Sequence, residues 1–231
     1  MRGNDMAMRL TLLLLFVPAQ AAFAQEVPSI QVLYQSPDGS IFDRNCSEIT
    51  RTEIKREWVQ ETVRRRVEFQ SWWDKDGPQY VRAVLKEVGL PFPYPAMQAT
   101  LTVCPAIGSM SDPLFITVRE FLSDASNPPP DWMFAVYLFH ELMHQYVRPV
   151  LASSPLRRKY SSEPPVVQQH LHVLALVRFA LLKSGKDVEL KYLDAQSRRV
   201  NRAWEIVSDI EGYEPFLKEL RALPTSAIQP N

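Results

Sequence analysis

The stretch from Trp132 to Leu151 constrains this chain more than any other. Wound as a helix, it places Trp132, Met133, Phe134, Val136, Leu138, Phe139, Leu142, Met143 and Val147 on nearly every side. A helix that is apolar all round belongs inside a protein, so the fold must wrap around it. The same segment carries His140, Glu141 and His144. Burying such groups without partners costs roughly several kcal/mol, so this chain needs a reason to hold all three in its core.

The rest of the sequence can supply the wrapping. Of 231 residues, 46% are hydrophobic and 23% charged, an ordinary globular balance that excludes an intrinsically disordered chain. The 26 basic and 26 acidic residues cancel, which argues against a nucleic-acid partner. Glycine is scarce (7) and proline plentiful (19). That composition disfavours glycine-loop nucleotide folds and favours helices joined by stiff loops.

Residues 1–24 read as an export signal. Arg2 and Arg9 form the basic flank, Leu10 to Val17 the apolar run, and Ala22-Phe23-Ala24 the cleavage site before Gln25. The run is too short to span a bilayer, and Pro18 ends it. The expectation is a periplasmic or secreted protein with no stable membrane insertion after cleavage. No cysteine follows the cleavage site, so a lipoprotein is not indicated. In an exported chain the two cysteines, Cys46 and Cys104, suggest one disulfide.

Ser29–Tyr34, Ala99–Val103 and Leu114–Val118 read as strands. Helices are expected over Ser47–Trp73, with Gly77-Pro78 as a break, then over Gln79–Val88. Asp131 is a candidate N-cap for the apolar helix, which should end near Val150. Pro164-Pro165 opens a helix from Val166 to Lys183; others follow at about Val188–Glu211 and Glu214–Leu223. The expected class is α+β: one domain over 25–231, with a sheet-containing lobe to about 125 and a helical lobe beyond.

His140-Glu141-Leu142-Met143-His144 has the form H-E-x-x-H. Residues i and i+4 share a helical face, so both imidazoles can meet one ion. The intervening glutamate can reach a water on that ion as general base. Here the sequence resembles the zincin metallopeptidases. The resemblance covers the pentapeptide and the coarse order of elements, a sheet before the motif helix. It implies a Zn2+ cofactor, Glu141 as general base, a peptide or protein substrate, and Leu114–Val118 as the edge strand that would hold it.

Zinc needs a third protein ligand. With His170 at 0° on a helical wheel, Val166, Val167, Val173, Leu174, Val177 and Leu181 fall within about 60°, so His170 points to the core. His172 falls at about 200°, on the more polar side. His170 is therefore the favoured ligand, with His172 behind it. The rival is Glu205, because Glu205-Ile206-Val207-Ser208-Asp209 looks like the E-x-x-x-D segment of thermolysin-like gluzincins. On its own wheel, however, Glu205 joins Arg198 and Arg202 on a charged stripe, opposite a face of Val200, Ala203, Trp204, Val207 and Ile210. Glu163 is a weaker candidate, because it precedes two prolines. Tyr146, Tyr160 and Tyr213 are the tyrosines that could stabilise an oxyanion.

The reading is a zinc-dependent hydrolase, a peptidase, with His140, His144 and His170 as ligands. Its alternative is a non-catalytic exported helical binding module with a degenerate metal site. A zinc carrier would call for an exposed His-rich tract, which this chain lacks.

Overall fold

A computed structural model describes residues 26–35, 39–105, 108–197 and 202–224. The expected export signal, and residues 36–38 of the expected turn, lie outside them. The order is β1 (Ser29–Leu33), α1 (Ile41–Arg44), α2 (Cys46–Thr50), α3 (Arg56–Val88), β2 (Ala96–Thr102), β3 (Met110–Ser111) and β4 (Leu114–Thr117). A 3-10 turn, Arg119–Phe121, follows. Then come α4 (Trp132–Leu151), α5 (Pro155–Lys159), α6 (Pro165–Lys183), α7 (Asp187–Ser197), α8 (Arg202–Glu205), a π-helical turn (Ile206–Ile210) and α9 (Glu214–Arg221). The class is mixed α+β, mostly helical around a small four-stranded sheet.

The sheet runs β1-β2-β4-β3. β1, β2 and β4 are parallel, and β3 pairs antiparallel with β4. β4 is thus not the edge strand that the sequence suggested. Met110 pairs with Phe115 and Ser111 with Leu114, after which the two strands part. Farther along, the Ser109 hydroxyl accepts the Thr117 amide at 3.2 Å. At the opposite edge, Gln70 of α3 does what a neighbouring strand would do. Its side-chain oxygen accepts from the Val32 amide at 2.7 Å, and its nitrogen donates to the Ile30 carbonyl at 3.1 Å. Both backbone groups are thereby satisfied without a fifth strand.

The ends of the sheet are tied down by polar contacts. Ser40 and Asp43 form a capping box at the start of α1. Asp43 is buried, and its second oxygen accepts from Thr102 Oγ1 and the Val103 amide, both at 2.7 Å. Nearby, Cys46 and Cys104 are joined as a disulfide, as expected from the sequence. Closing a 58-residue separation this way contributes about 4 kcal/mol in loop-closure entropy.

α3 runs unbroken through Gly77-Pro78, where the sequence predicted a break. A proline inside a helix costs about 3 kcal/mol. Burial on either side offsets this: Trp73, Tyr80, Val81, Val84 and Leu85 are all essentially inaccessible, and each contributes about 1.5–3 kcal/mol. Glycine is required at 77, because a Cβ there would lie 2.2 Å from the Trp73 ring. The predicted start of this helix also differs. Ser47 belongs to the separate short α2, which ends at Arg51 in the left-handed region (φ 58°).

α4 occupies the centre, as its all-round apolarity requires, packed on α3 and α6. α6 is long and apolar enough to cross a membrane by length and composition alone. Here its faces are taken up by α3, α4, α7, α8 and α9. One continuous hydrophobic core joins the strands to these helices.

Candidate metal centre

Two helices build the site. On α4, the i, i+4 spacing brings His140 Nε2 and His144 Nε2 to 3.1 Å from each other. α6 packs across α4 and delivers His170. Its ring centroid lies 5.2 Å from that of His140 and 4.6 Å from that of His144. One nitrogen from each of the three rings falls within a mutual distance of 4.8 Å, so the cluster could hold a metal ion.

The orientation of His170 is set locally. Its Nδ1 lies 2.6 Å from the Val166 carbonyl. A carbonyl only accepts, so Nδ1 carries the proton and Nε2 keeps its lone pair. Burial, reinforced by the neighbouring His144 and His170, holds His140 well below the usual histidine range. Burial and His170 bring His144 down to about 4. Both are therefore neutral at pH 7, the form in which an imidazole binds metal. Glu141 lies beside them, only 8% exposed, and burial pushes its carboxyl up to about 7.

His140 and Glu141 open onto a cleft of about 690 Å³. Val136, Leu174, Val177, Leu193 and Trp204 give it an apolar wall, whereas Ser109, Thr117, Glu120 and Asn127 line the side nearer the sheet. The Trp204 indole is positioned by its Nε1, which donates to Asp194 at 3.0 Å.

The rival ligands lie elsewhere. Arg202 binds Glu205 at 2.7 Å and Glu163 at 3.0 Å, so both carboxylates are engaged by a cation outside the histidine cluster. Asp209 is exposed. The wheel drawn for this segment fails in one respect: Ile206 is fully buried and Ile210 half exposed. The backbone widens to a π turn at Ile206–Ile210, which shifts the phase on which a 100° step depends.

His172 corrects the other wheel. It is fully buried, not on a polar side, with Nε2 3.0 Å from Glu219 and its ring edge-on to Phe216. α6 is covered on both flanks, so it has little polar side at this level. The three tyrosines singled out as oxyanion donors do not line the cleft. Tyr146 donates to the Leu90 carbonyl, Tyr160 donates to Glu211, and Tyr213 packs on Phe179. The tyrosine that does line it is Tyr137, one turn before His140 on the same face. That i, i+3 spacing was available in the sequence. Glu120, in the turn after β4, carried no such signal.

Comparisons with protein-family models, with curated proteins and with solved structures find no match to this chain.

Proposed function

We propose that this protein is an exported, zinc-dependent peptide hydrolase of zincin type, with His140, His144 and His170 as the metal ligands and Glu141 as general base. The observation that carries the reading is the convergence of three imidazoles, one of which, His140, lines a cleft together with the buried Glu141. The donor set fits zinc. Nitrogens about 2.0–2.1 Å from a tetrahedral ion stand about 3.3 Å apart, close to the 3.1 Å between His140 and His144. With three protein ligands the fourth position is left for water or substrate, the pattern of catalytic rather than structural sites.

Bound there, zinc would polarise the scissile carbonyl and bring the pKa of water toward neutrality. Glu141 takes the proton of the attacking water and passes it to the leaving amine. Burial raises this carboxyl, and a bound cation would oppose that shift, so the group can both take and return a proton. The apolar cleft wall excludes water and packs against side chains of the peptide. The disulfide agrees with an oxidising compartment outside the cytoplasm.

The test is metal analysis and peptide cleavage on protein purified without chelators. About one equivalent of zinc is expected, with cleavage of unstructured peptides that stops on chelation and returns with zinc. Protein that binds no zinc when supplied with it would end this reading and leave the non-catalytic binding module.

A further inference from the structure

Among the described residues, Glu120 is the one acidic side chain besides Glu141 on the wall of the cleft. It sits in the turn directly after β4, facing α4 across the opening. Among the described residues no cation pairs with it. The adjacent Arg119, which also lines the cleft, is committed elsewhere: it binds Asp124 at 2.8 Å and lies 4.0 Å over the Trp58 ring. Trp58 Nε1 donates to the same Asp124, which fixes the pair away from Glu120. What Glu120 does meet is the Tyr137 hydroxyl. Packing pushes its carboxyl up, while that hydroxyl favours the charged form.

Tyr137 stands one turn before His140, about 5 Å along the helix axis. Glu120 and Tyr137 line the same cleft as His140 and Glu141. We propose that Glu120, beside Tyr137 on the wall of the cleft that His140 and Glu141 also line, selects peptides that carry an ammonium group near the scissile bond. The group is either a free amino terminus or a lysine side chain. This specificity rests on the hydrolase reading above, but it concerns binding and can be measured without turnover. A carboxylate that no protein cation pairs, set in a cleft with an apolar wall opposite polar residues, attracts such a group and repels an acidic one.

The experiment uses the zinc-loaded protein with Glu141→Gln, to block turnover, and titration calorimetry. The probes are the amidated peptide Ala-Ala-Phe-Leu-Ala with a free amino terminus, its acetylated form, and acetylated forms with Lys or Gln at the second position. One ammonium-bearing probe should bind about fivefold more tightly than its neutral match, the upper range for a partly open ion pair. The free-amine and Lys arms identify which source of ammonium is read. Adding Glu120→Gln should remove the preference and leave neutral peptides unaffected; Glu120→Lys should reverse it toward a Glu-containing probe. Equal binding of charged and neutral probes, a preference that survives Glu120→Gln, or binding of none would overturn the proposal. Failure of cleavage with the binding preference intact would instead count against the catalytic reading alone.

Discussion

α6 carries two histidines two residues apart, and they live in opposite circumstances. His172 faces Glu219, which also accepts from Ser154 Oγ at 2.6 Å and from the Leu156 amide at 2.7 Å. That centre joins α5, α6 and α9 and draws its partners from the protein, with only the His172 Nδ1 left over. His170 faces two more imidazoles, and the buried carboxylate nearest them, Glu141, accepts no hydrogen bond from the described residues. Like groups packed together without an anion make a poor structural centre. A buried histidine alone therefore says little; what distinguishes the two is whether the surrounding protein completes it.

The widest divergence should come from making the same change in both. Glu141→Gln should leave folding intact and lower peptide cleavage by about a thousandfold or more, because a positioned base contributes about 10²–10⁴. Glu219→Gln should keep catalysis and lower stability by about 1–3 kcal/mol, because it weakens charge-assisted bonds in a buried network. Activity assays paired with urea denaturation measure both. Cleavage retained in Glu141→Gln would remove the contrast.

The histidines offer the second contrast. His170→Ala should weaken zinc binding by at least about a hundredfold, more than loss of a supporting partner costs. His172→Ala should leave zinc affinity alone and lower stability by about 2–3 kcal/mol. Glu205→Ala, which loses only an ion pair with a partly exposed Arg202, should change neither. Zinc competition titrations decide the matter, and affinity lost with Glu205 but kept without His170 would reverse the ligand assignment.

Acid should act on both centres through the metal-free protein. His140, His144 and His172 are all held below their ordinary range, chiefly by burial. The unfolded chain therefore binds more protons than the folded one below about pH 6.5, and stability falls with pH there. Glu141, held up to about 7, works the other way over an overlapping window. Three groups outweigh one, so the loss should run from about pH 6.5 down to about 4, on the order of 1–2 kcal/mol per pH unit. Zinc should flatten the upper part of this curve by holding His140 and His144 deprotonated. A urea midpoint independent of pH in the metal-free protein would contradict it.

Much of the arrangement could be read before any coordinates. The apolar helix and its i, i+4 histidines are periodic, local signals, and the structure bears out their placement. His170 was found by the same geometry, because the apolar face around it is continuous. The failures share one cause: a wheel presumes a uniform step and a single buried side. His172 is buried because α6 is covered on both flanks, and Ile210 turns outward because the backbone widens to a π turn. Gly77-Pro78 carries a strong local breaking signal that the tertiary burial of Trp73, Tyr80, Val81, Val84 and Leu85 overrides. Glu120 and Tyr137 sit on successive elements joined by an irregular loop, and no periodic pattern announces their meeting.

The Gln70 amide has a consequence for the company this protein keeps. Open strand edges recruit other open edges, and a protein in a crowded compartment meets many of them. One side chain on α3 occupies the middle of β1, so an incoming strand finds its central donor and acceptor already engaged. A glutamine at this position therefore blunts the edge from within, with a contact that belongs to the fold rather than with an added surface charge.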